Sequence, residues 1–396
     1  MNILKKVYGR LKYAAQARFK EPIVVFESDD WGMMRQPSAG KLKTFGEPGE
    51  WSEEAVETET DLNGLYQILG KYKDSRGRKP VFTANFIAFN PDFDRINNNK
   101  FSEYFDIPID RLFSESLIQK YKEGVRREIF FPQHHGRRHF CSEIWLQDLQ
   151  KNEPGAKELF DQGCCGGLSL LQGQGWRYHT EYLNWKTGKE KSEAEIKIDL
   201  KETLSVLERI FGYKMTSTIA PHYIFTKNAE RAWLEMGILY VQGTGYCLQR
   251  EKNGHAVTRS HYMGEKSENG LLYMTRTIKF DPRPERKNHH WQQAYRNAAS
   301  LFDSGIPVVI DTHRINYTGG YREAALEQLD SLLKEMNQLG VVFLTSCELG
   351  EAVLNGGKYT DVFSREKLSI TPVKTATQKF SRFLIKLING VCFLKL

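Results

Sequence analysis

Eight short apolar runs, most of them followed by a stretch with helical spacing, limit what this chain can fold into. The runs are Ile23 to Phe26, Val81 to Phe89, Glu128 to Pro132, Thr216 to Ala220, Ile238 to Gln242, residues 271 to 280, Pro307 to Ile310 and Val341 to Leu344. Between them lie helix-forming stretches, among them Asp61 to Tyr72, Ser114 to Gly124, Ser192 to Phe211, Asn228 to Met236, His290 to Phe302 and Glu323 to Leu339. Gly212 stands at a helix C-cap position. Runs that stay apolar on both faces belong to strands covered on both sides, and strand–helix alternation implies parallel pairing with right-handed crossovers. The predicted fold is an α/β (β/α) barrel of seven or eight mostly parallel strands, a distorted TIM-like barrel. Neither GxGxxG after the first strand nor GxxxxGK[ST] occurs, which excludes a dinucleotide fingerprint and a P-loop.

In such a barrel, chemistry gathers where strands end at the carboxyl face. The first run, Val24-Val25-Phe26-Glu27-Ser28-Asp29-Asp30-Trp31-Gly32, ends in two adjacent carboxylates. Paired acids at the end of a buried strand repel one another unless a cation sits with them. The third run discharges into Gln133-His134-His135-Gly136-Arg137-Arg138-His139. His135 and His139, at i and i+4, would reach one side of a helical turn and could share a cation. Tyr223, Asp281 and His313 stand at later strand ends. Two imidazoles and one carboxylate with open positions for water and substrate make a catalytic site for Zn²⁺ or another divalent transition metal.

These residues resemble the polysaccharide deacetylases of the NodB-homology type, carbohydrate esterase family 4, over roughly residues 22 to 350. The family's Thr-Phe-Asp-Asp-Gly is similar to Glu27-Ser28-Asp29-Asp30-Trp31-Gly32, its His-x-x-x-His to His135-Gly136-Arg137-Arg138-His139, and its Arg-x-Pro-Tyr to Ala220-Pro221-His222-Tyr223. The family's late histidine resembles His313. The resemblance implies Asp29 as general base, Asp30, His135 and His139 as metal ligands, and His313 as general acid. It also implies the backbone N–H of Tyr223 as an oxyanion donor, with Trp31 and Arg314 as further substrate contacts. The expected cofactor is one divalent metal ion, zinc first, with cobalt, nickel or manganese as alternatives. The implied reaction removes an N- or O-acetyl group from a sugar or polysaccharide precursor, in cell-surface polysaccharide biosynthesis. The sequence departs from the pattern at Ala220, where the family has the arginine that pairs with the base. It departs again at Gly243-Thr244-Gly245-Tyr246, where a tryptophan and aspartate motif is expected. Arg314, Asp311 or Asp281 are candidates for the missing orienting charge. Two rival readings remain: a glycoside hydrolase using Asp29 with Asp281, and a catalytically silent barrel that binds a sugar or a partner.

The formal net charge of +7 lies in the ends of the chain. Residues 1 to 20 carry six Lys and Arg and residues 374 to 396 carry five, neither with an acid, which leaves −4 for the sequence between them. That distribution argues against nucleic acid as the partner. Both ends are amphipathic: Leu4, Val7, Leu11 and Ala14/Ala15 share one helical face, as do Phe380, Phe383/Leu384, Leu387/Ile388, Val391 and Leu394. The expected organisation is a basic N-terminal helix over 1–21, the barrel over 22–350 with an insertion near 140–190, and a tail over 351–396 with a second basic helix. Either helix could rest on anionic lipid or pack on the barrel. With no apolar signal sequence at its start, the chain is expected to be cytoplasmic, peripheral at the inner face of the membrane. Its substrate is then expected to be an acetylated glycan or a nucleotide- or lipid-linked sugar. The six cysteines lack CxxC spacing and are expected as thiols.

Overall fold

The computed structural model describes residues 2–37, 54–153, 155–165, 180–250, 256–284 and 286–391. Most of residues 33–60 lies outside them, as does Cys392. The chain opens with helix α1 (Asn2–Ala15) and strand β1 (Ile23–Trp31). Then come α2 (Glu59–Gly70), β2 (Phe82–Phe86), α3 (Glu115–Arg126), β3 (Phe130–His134), α4 (Glu193–Phe211), β4 (Ser217–Ile219), α5 (Lys227–Glu235) and β5 (Tyr240–Gly243). Strands β6 (Leu272–Thr275) and β7 (Ile278–Lys279) precede α6 (Trp291–Asp303), β8 (Val308–His313), α7 (Arg322–Gln338), β9 (Val342–Phe343), α8 (Ser346–Leu354) and α9 (Ala376–Val391). Among the described residues the insertion after β3 holds helices Ser142–Gln150 and Ala156–Asp161 and a small hairpin. The helix predicted over Ser192 to Phe211 starts on a Ser192–Glu195 capping box and stops at Gly212, whose φ of 79° only glycine adopts without strain.

All nine strands of the main sheet pair in parallel, in the order β6-β5-β4-β3-β2-β1-β8-β7, with β9 on the foot of β1. The edge strands β6 and β7 are consecutive pieces of chain. Arg276 N–H donates to Gly243 O at 2.7 Å on one side, and Thr277 N–H donates to Val309 O at 2.8 Å on the other. The sheet therefore closes into a barrel, with residues 272–279 as one shared stave. The run expected as one strand over 271–280 is thus split at Arg276-Thr277, where it changes neighbours.

Alternation along the strands sorts side chains in layers. Val24, Phe26, Phe82, Phe130, Val308 and Ile310 face outward and pack with Leu62, Leu65, Leu329 and Leu332 of the helices. Ile23, Val25, Val81, Phe131, Tyr240, Leu272, Met274 and Val309 form an apolar floor with Cys347 and Leu349 of α8. Two residues further along each strand the interior turns polar, with Glu27, Thr83, Gln133, Ser217, Gln242 and Asp311 all buried. Burying so many polar groups requires that they bond one another. Gln242 Nε2 donates to Ser217 Oγ (2.9 Å), Ser217 Oγ to Gln133 Oε1 (3.1 Å), and Ser346 Oγ, at the start of α8, to Glu27 Oε1 (2.7 Å). The next layer up is the carboxyl end of the barrel. The five described cysteines are buried and remain thiols.

Candidate active site at the carboxyl end of the barrel

Successive residues of a strand point to opposite faces, so Asp29 and Asp30 cannot both face the barrel mouth from a regular strand. The pairing register of β1 with β2 shifts between Ser28 and Trp31, and Asp30 takes a left-handed φ of 71°. This bulge turns the Asp30 carboxylate back to the side that Asp29 already faces. Both are buried.

Asp30 Oδ1 lies 3.3 Å from His135 Nε2 and 3.2 Å from His139 Nε2. Donors about 2.0–2.2 Å from a tetrahedral ion sit about 3.3 Å from one another, so this spacing fits a single divalent cation. His135 Nδ1 lies 2.9 Å from the carbonyl oxygen of Ile219, which can only accept. Its proton is therefore on Nδ1, and Nε2 is the nitrogen left for a metal. Burial opposes charge on all three groups. The imidazoles nevertheless hold the Asp30 carboxyl well below its ordinary range, and the Asp30 hydrogen bond draws His135 up, while burial draws His139 down.

The segment joining the two histidines is not the helical turn expected from their spacing. It is an irregular loop in which Gly136 has φ 117°, and a side chain there would run into Glu181. Glu181 accepts from the backbone N–H of Arg137 (2.9 Å) and Arg138 (3.2 Å). Outside the loop, Arg137 grips Asp106 at 2.8 Å through both Nε and Nη2. The arginines are thus held outward while both imidazoles turn in. His134 points elsewhere, with Nδ1 2.7 Å from Thr218 Oγ1.

Asp29 is held by a different set of partners. Arg276 Nη2 donates to its Oδ1 (2.6 Å) and Nη1 to its Oδ2 (2.8 Å), and Asn85 Nδ2 adds a bond to Oδ1 (2.8 Å). His313, paired in register with Asp29 across β1 and β8, places Nε2 3.9 Å from Oδ2. Burial would push the Asp29 carboxyl up, but Arg276, with His135 and His313, brings it down to about 2. The same guanidinium reaches Glu27 Oε2 at 2.8 Å and Asp311 Oδ1 at 2.6 Å. Three buried carboxylates share one cation, and Glu27 bears the excess: burial pushes it up to about 7 despite Arg276. Asp29, Asp311 and His313 also have the spacing of a metal triad. Between the two carboxylates, however, the guanidinium already supplies the positive charge.

Arg276 is the residue that sequence reasoning missed. It does the work expected of the arginine absent at Ala220, and its signal was an arginine in the middle of a largely apolar run. Of the three candidates for the orienting charge, Asp311 bonds to Arg276 and the other two serve elsewhere. Asp281 is clamped by Arg283 at 2.7 Å and by Arg286. Burial favours its neutral form, but the two arginines hold it below its ordinary range, which removes it as the protonated acid of a glycoside hydrolase. Arg314 is fully buried and pairs with Glu54 (3.0 Å) and Glu57 (2.9 Å) beneath the loop after β1, so it is not a substrate contact. Trp31 is not one either: its indole is buried edge-on against Phe130, with Nε1 donating to Ser28 Oγ. The Tyr223 N–H, expected to face an oxyanion, donates to Ala220 O at 2.9 Å in a short turn where His222 and Tyr223 both have positive φ. The Tyr223 side chain is what reaches the site. Its phenol is held protonated by burial and by the charge of Asp311, against the pull of Arg276. His222, exposed, sets its ring 5.6 Å from that of His139.

No family model matches the chain, and no curated protein matches it. Solved structures similar to it include a putative polysaccharide deacetylase from Mycobacterium smegmatis, at 13% identity and TM-score 0.40, covering 84% of this chain and 90% of that one. A family 4 acetyl xylan esterase from Clostridium thermocellum, in complex with a cobalt ion, has 10% identity and TM-score 0.37, covering 83% and 89%. BA3943 from Bacillus anthracis, a CE4 family pseudoenzyme, has 10% identity and TM-score 0.36. That match covers 83% of this chain and 66% of BA3943, so the chain spans about two thirds of that protein's length. These neighbours fall in the family that the sequence motifs resemble.

Proposed function

We propose that this protein is a metal-dependent hydrolase that removes an N- or O-acetyl group from a sugar or a polysaccharide precursor. The observation that carries the proposal is one buried strand end presenting two carboxylates in different settings. Asp30 sits between two imidazoles at ligand spacing, and Asp29 is locked in ionised form by Arg276 beside His313.

Asp30, His135 and His139 would hold the ion, zinc being the first expectation and cobalt, nickel or manganese the alternatives. A divalent cation bound there would polarise the acetyl carbonyl and acidify an attacking water. Asp29 accepts the water's proton. Its Oδ2 has one protein hydrogen bond to the two on Oδ1, so Oδ2 is the oxygen with room for it. Arg276 keeps that carboxylate deprotonated throughout the neutral range, which secures the base at the cost of a low intrinsic basicity. His313, half-buried and 3.9 Å from Asp29, delivers a proton to the leaving nitrogen or oxygen. The Tyr223 hydroxyl, kept protonated, is the donor suited to the developing oxyanion. The sugar is proposed to be carried on a nucleotide or lipid at the cytoplasmic face of a membrane, supported by the two basic amphipathic ends of the chain.

The test is acetate release from a panel of acetylated glycans and sugar donors, using metal-stripped protein and protein reloaded with single divalent ions. Release that needs both the metal and Asp29 supports the proposal. A reloaded protein with stoichiometric metal that releases no acetate from any member leaves the silent sugar-binding reading in its place.

A further inference from the structure

Helix α9 is mounted with its apolar face outward. An amphipathic helix of a globular protein ordinarily buries that face. Here Gln378, Ser381 and Ile385 are buried, and Phe380, Phe383 and Leu387, on the opposite side of the helix, are 61%, 58% and 47% exposed. The helix is anchored through its polar side: Gln378 Nε2 donates to Gln16 O (2.6 Å) and Arg382 Nε to Ala15 O (2.9 Å) at the end of α1. Ile385 joins Tyr8, Ala15 and Tyr262 in a small cluster that ties the two helices together.

The apolar stripe is bordered by Lys379 and Lys386, both exposed, and α1 adds exposed Lys6 and Arg10. The cleft beside α9 is lined by Arg18, Lys266, Lys374 and Arg382, with no carboxylate among its lining residues. Glu265, half-buried, faces Lys12 and Lys386 and offsets part of this charge. No helix among the described residues is long and apolar enough to cross a membrane.

We infer that the α1–α9 pair docks the protein on an anionic membrane surface, with Phe380, Phe383 and Leu387 in the headgroup–acyl boundary and the flanking lysines and arginines on lipid phosphates. Charge selects this occupant. The two ends of the chain carry eleven basic residues and no acid, against −4 for the rest, so a face bearing this stripe is matched by a negative, apolar-cored surface. The inference is independent of the proposed reaction.

The test uses the full chain, pelleted with vesicles of phosphatidylcholine alone or with added phosphatidylglycerol. Binding is expected with the anionic vesicles at low salt and is expected to fall as salt screens the charges. Both Phe380→Ser/Phe383→Ser and Lys379→Glu/Lys386→Glu are expected to weaken it at least about tenfold with unchanged melting, since all four side chains are exposed. Equal pelleting with both vesicle types, or none with either, overturns the inference. So does a stable dimer in solution that Phe380→Ser/Phe383→Ser dissociates, because the stripe would then be covered by a second copy.

Discussion

Replacing Arg276 by alanine removes the only cation within 2.8 Å of three buried carboxylates, Glu27, Asp29 and Asp311, among the described residues. The carboxylates must then take up protons or face one another uncompensated. Breaking a buried ion pair by deleting one partner costs about 3–5 kcal/mol. The lowering of the Asp29 carboxyl by Arg276 gives a consistent figure. Its carboxyl lies at about 2 in the folded protein against an ordinary 3.8. Losing that depression alone is worth roughly 2–3 kcal/mol, and burial then carries the group higher still. A depressed carboxylate contributes stability that is present above the unfolded pKa and lost as pH falls through the folded one. In Arg276→Ala that contribution is gone at neutral pH. The melting temperature is expected to drop by roughly 4–6 °C, and the acid limb of kcat/KM on an acetyl ester, measured at saturating metal, is expected to move up by about two pH units. Arg276→Lys keeps the charge but cannot bridge two carboxylates with one planar fork, so it falls between. An Arg276→Ala protein that melts within about 1 °C of the wild type, with its acid limb in place, would refute the reasoning.

Four further outcomes follow from the same geometry. His135→Ala should weaken divalent metal binding at least about a hundredfold by calorimetry, and metal retained stoichiometrically through dialysis would contradict its role. Asp29→Asn should bind metal as before while kcat falls about 10²–10⁴-fold; full activity would remove Asp29 as the base. Glu27, raised by burial from 4.5 to about 7, favours the folded state below the unfolded pKa and loses that contribution as pH climbs through 7. Glu27→Gln should therefore gain up to about 3 kcal/mol over the wild type at pH 8 and little at pH 5, and an equal difference at both pH values would show that the raised pKa is wrong. Arg314→Met should lower stability by about 3–5 kcal/mol with metal affinity unchanged, and a raised KM at unchanged melting would return Arg314 to the substrate site.

The barrel was legible because parallel strands covered on both faces read as apolar runs, and each ends where its polar residues begin. Asp29, Asp30, His135, His139 and His313 were singled out by that rule together with the i, i+4 spacing of the two histidines and the family resemblance, since a strand's end is fixed by its sequence. The relations across the barrel were not legible. Arg276 reaches Asp29 over 247 residues of chain, and a lone arginine in an apolar run carries no mark of which carboxylate it meets. The bulge at Asp30 depends on a backbone angle that an aspartate tolerates but does not announce. Trp31 was misplaced for the same reason, because once the bulge turns Asp30 inward the indole goes outward to Phe130. Arg314 follows a strand end as His313 does, yet it reaches Glu54 and Glu57 in a loop whose path no periodicity records.

The stave shared by β6 and β7 also has a consequence in time. Arg276 is the residue at which the ring of strands closes, and it is the residue that fixes Asp29. The contact joins the first strand to nearly the last, so its loop-closure entropy must be met late, after the intervening βα units have paired. A chain caught one step short of closure would have most of its core and both histidines in place but no oriented base. The proposed catalytic arrangement would then arise at the final step of folding rather than along with compactness. An incompletely closed barrel, however native in its helices, would hold Asp30 beside its two histidines and leave Asp29 without Arg276.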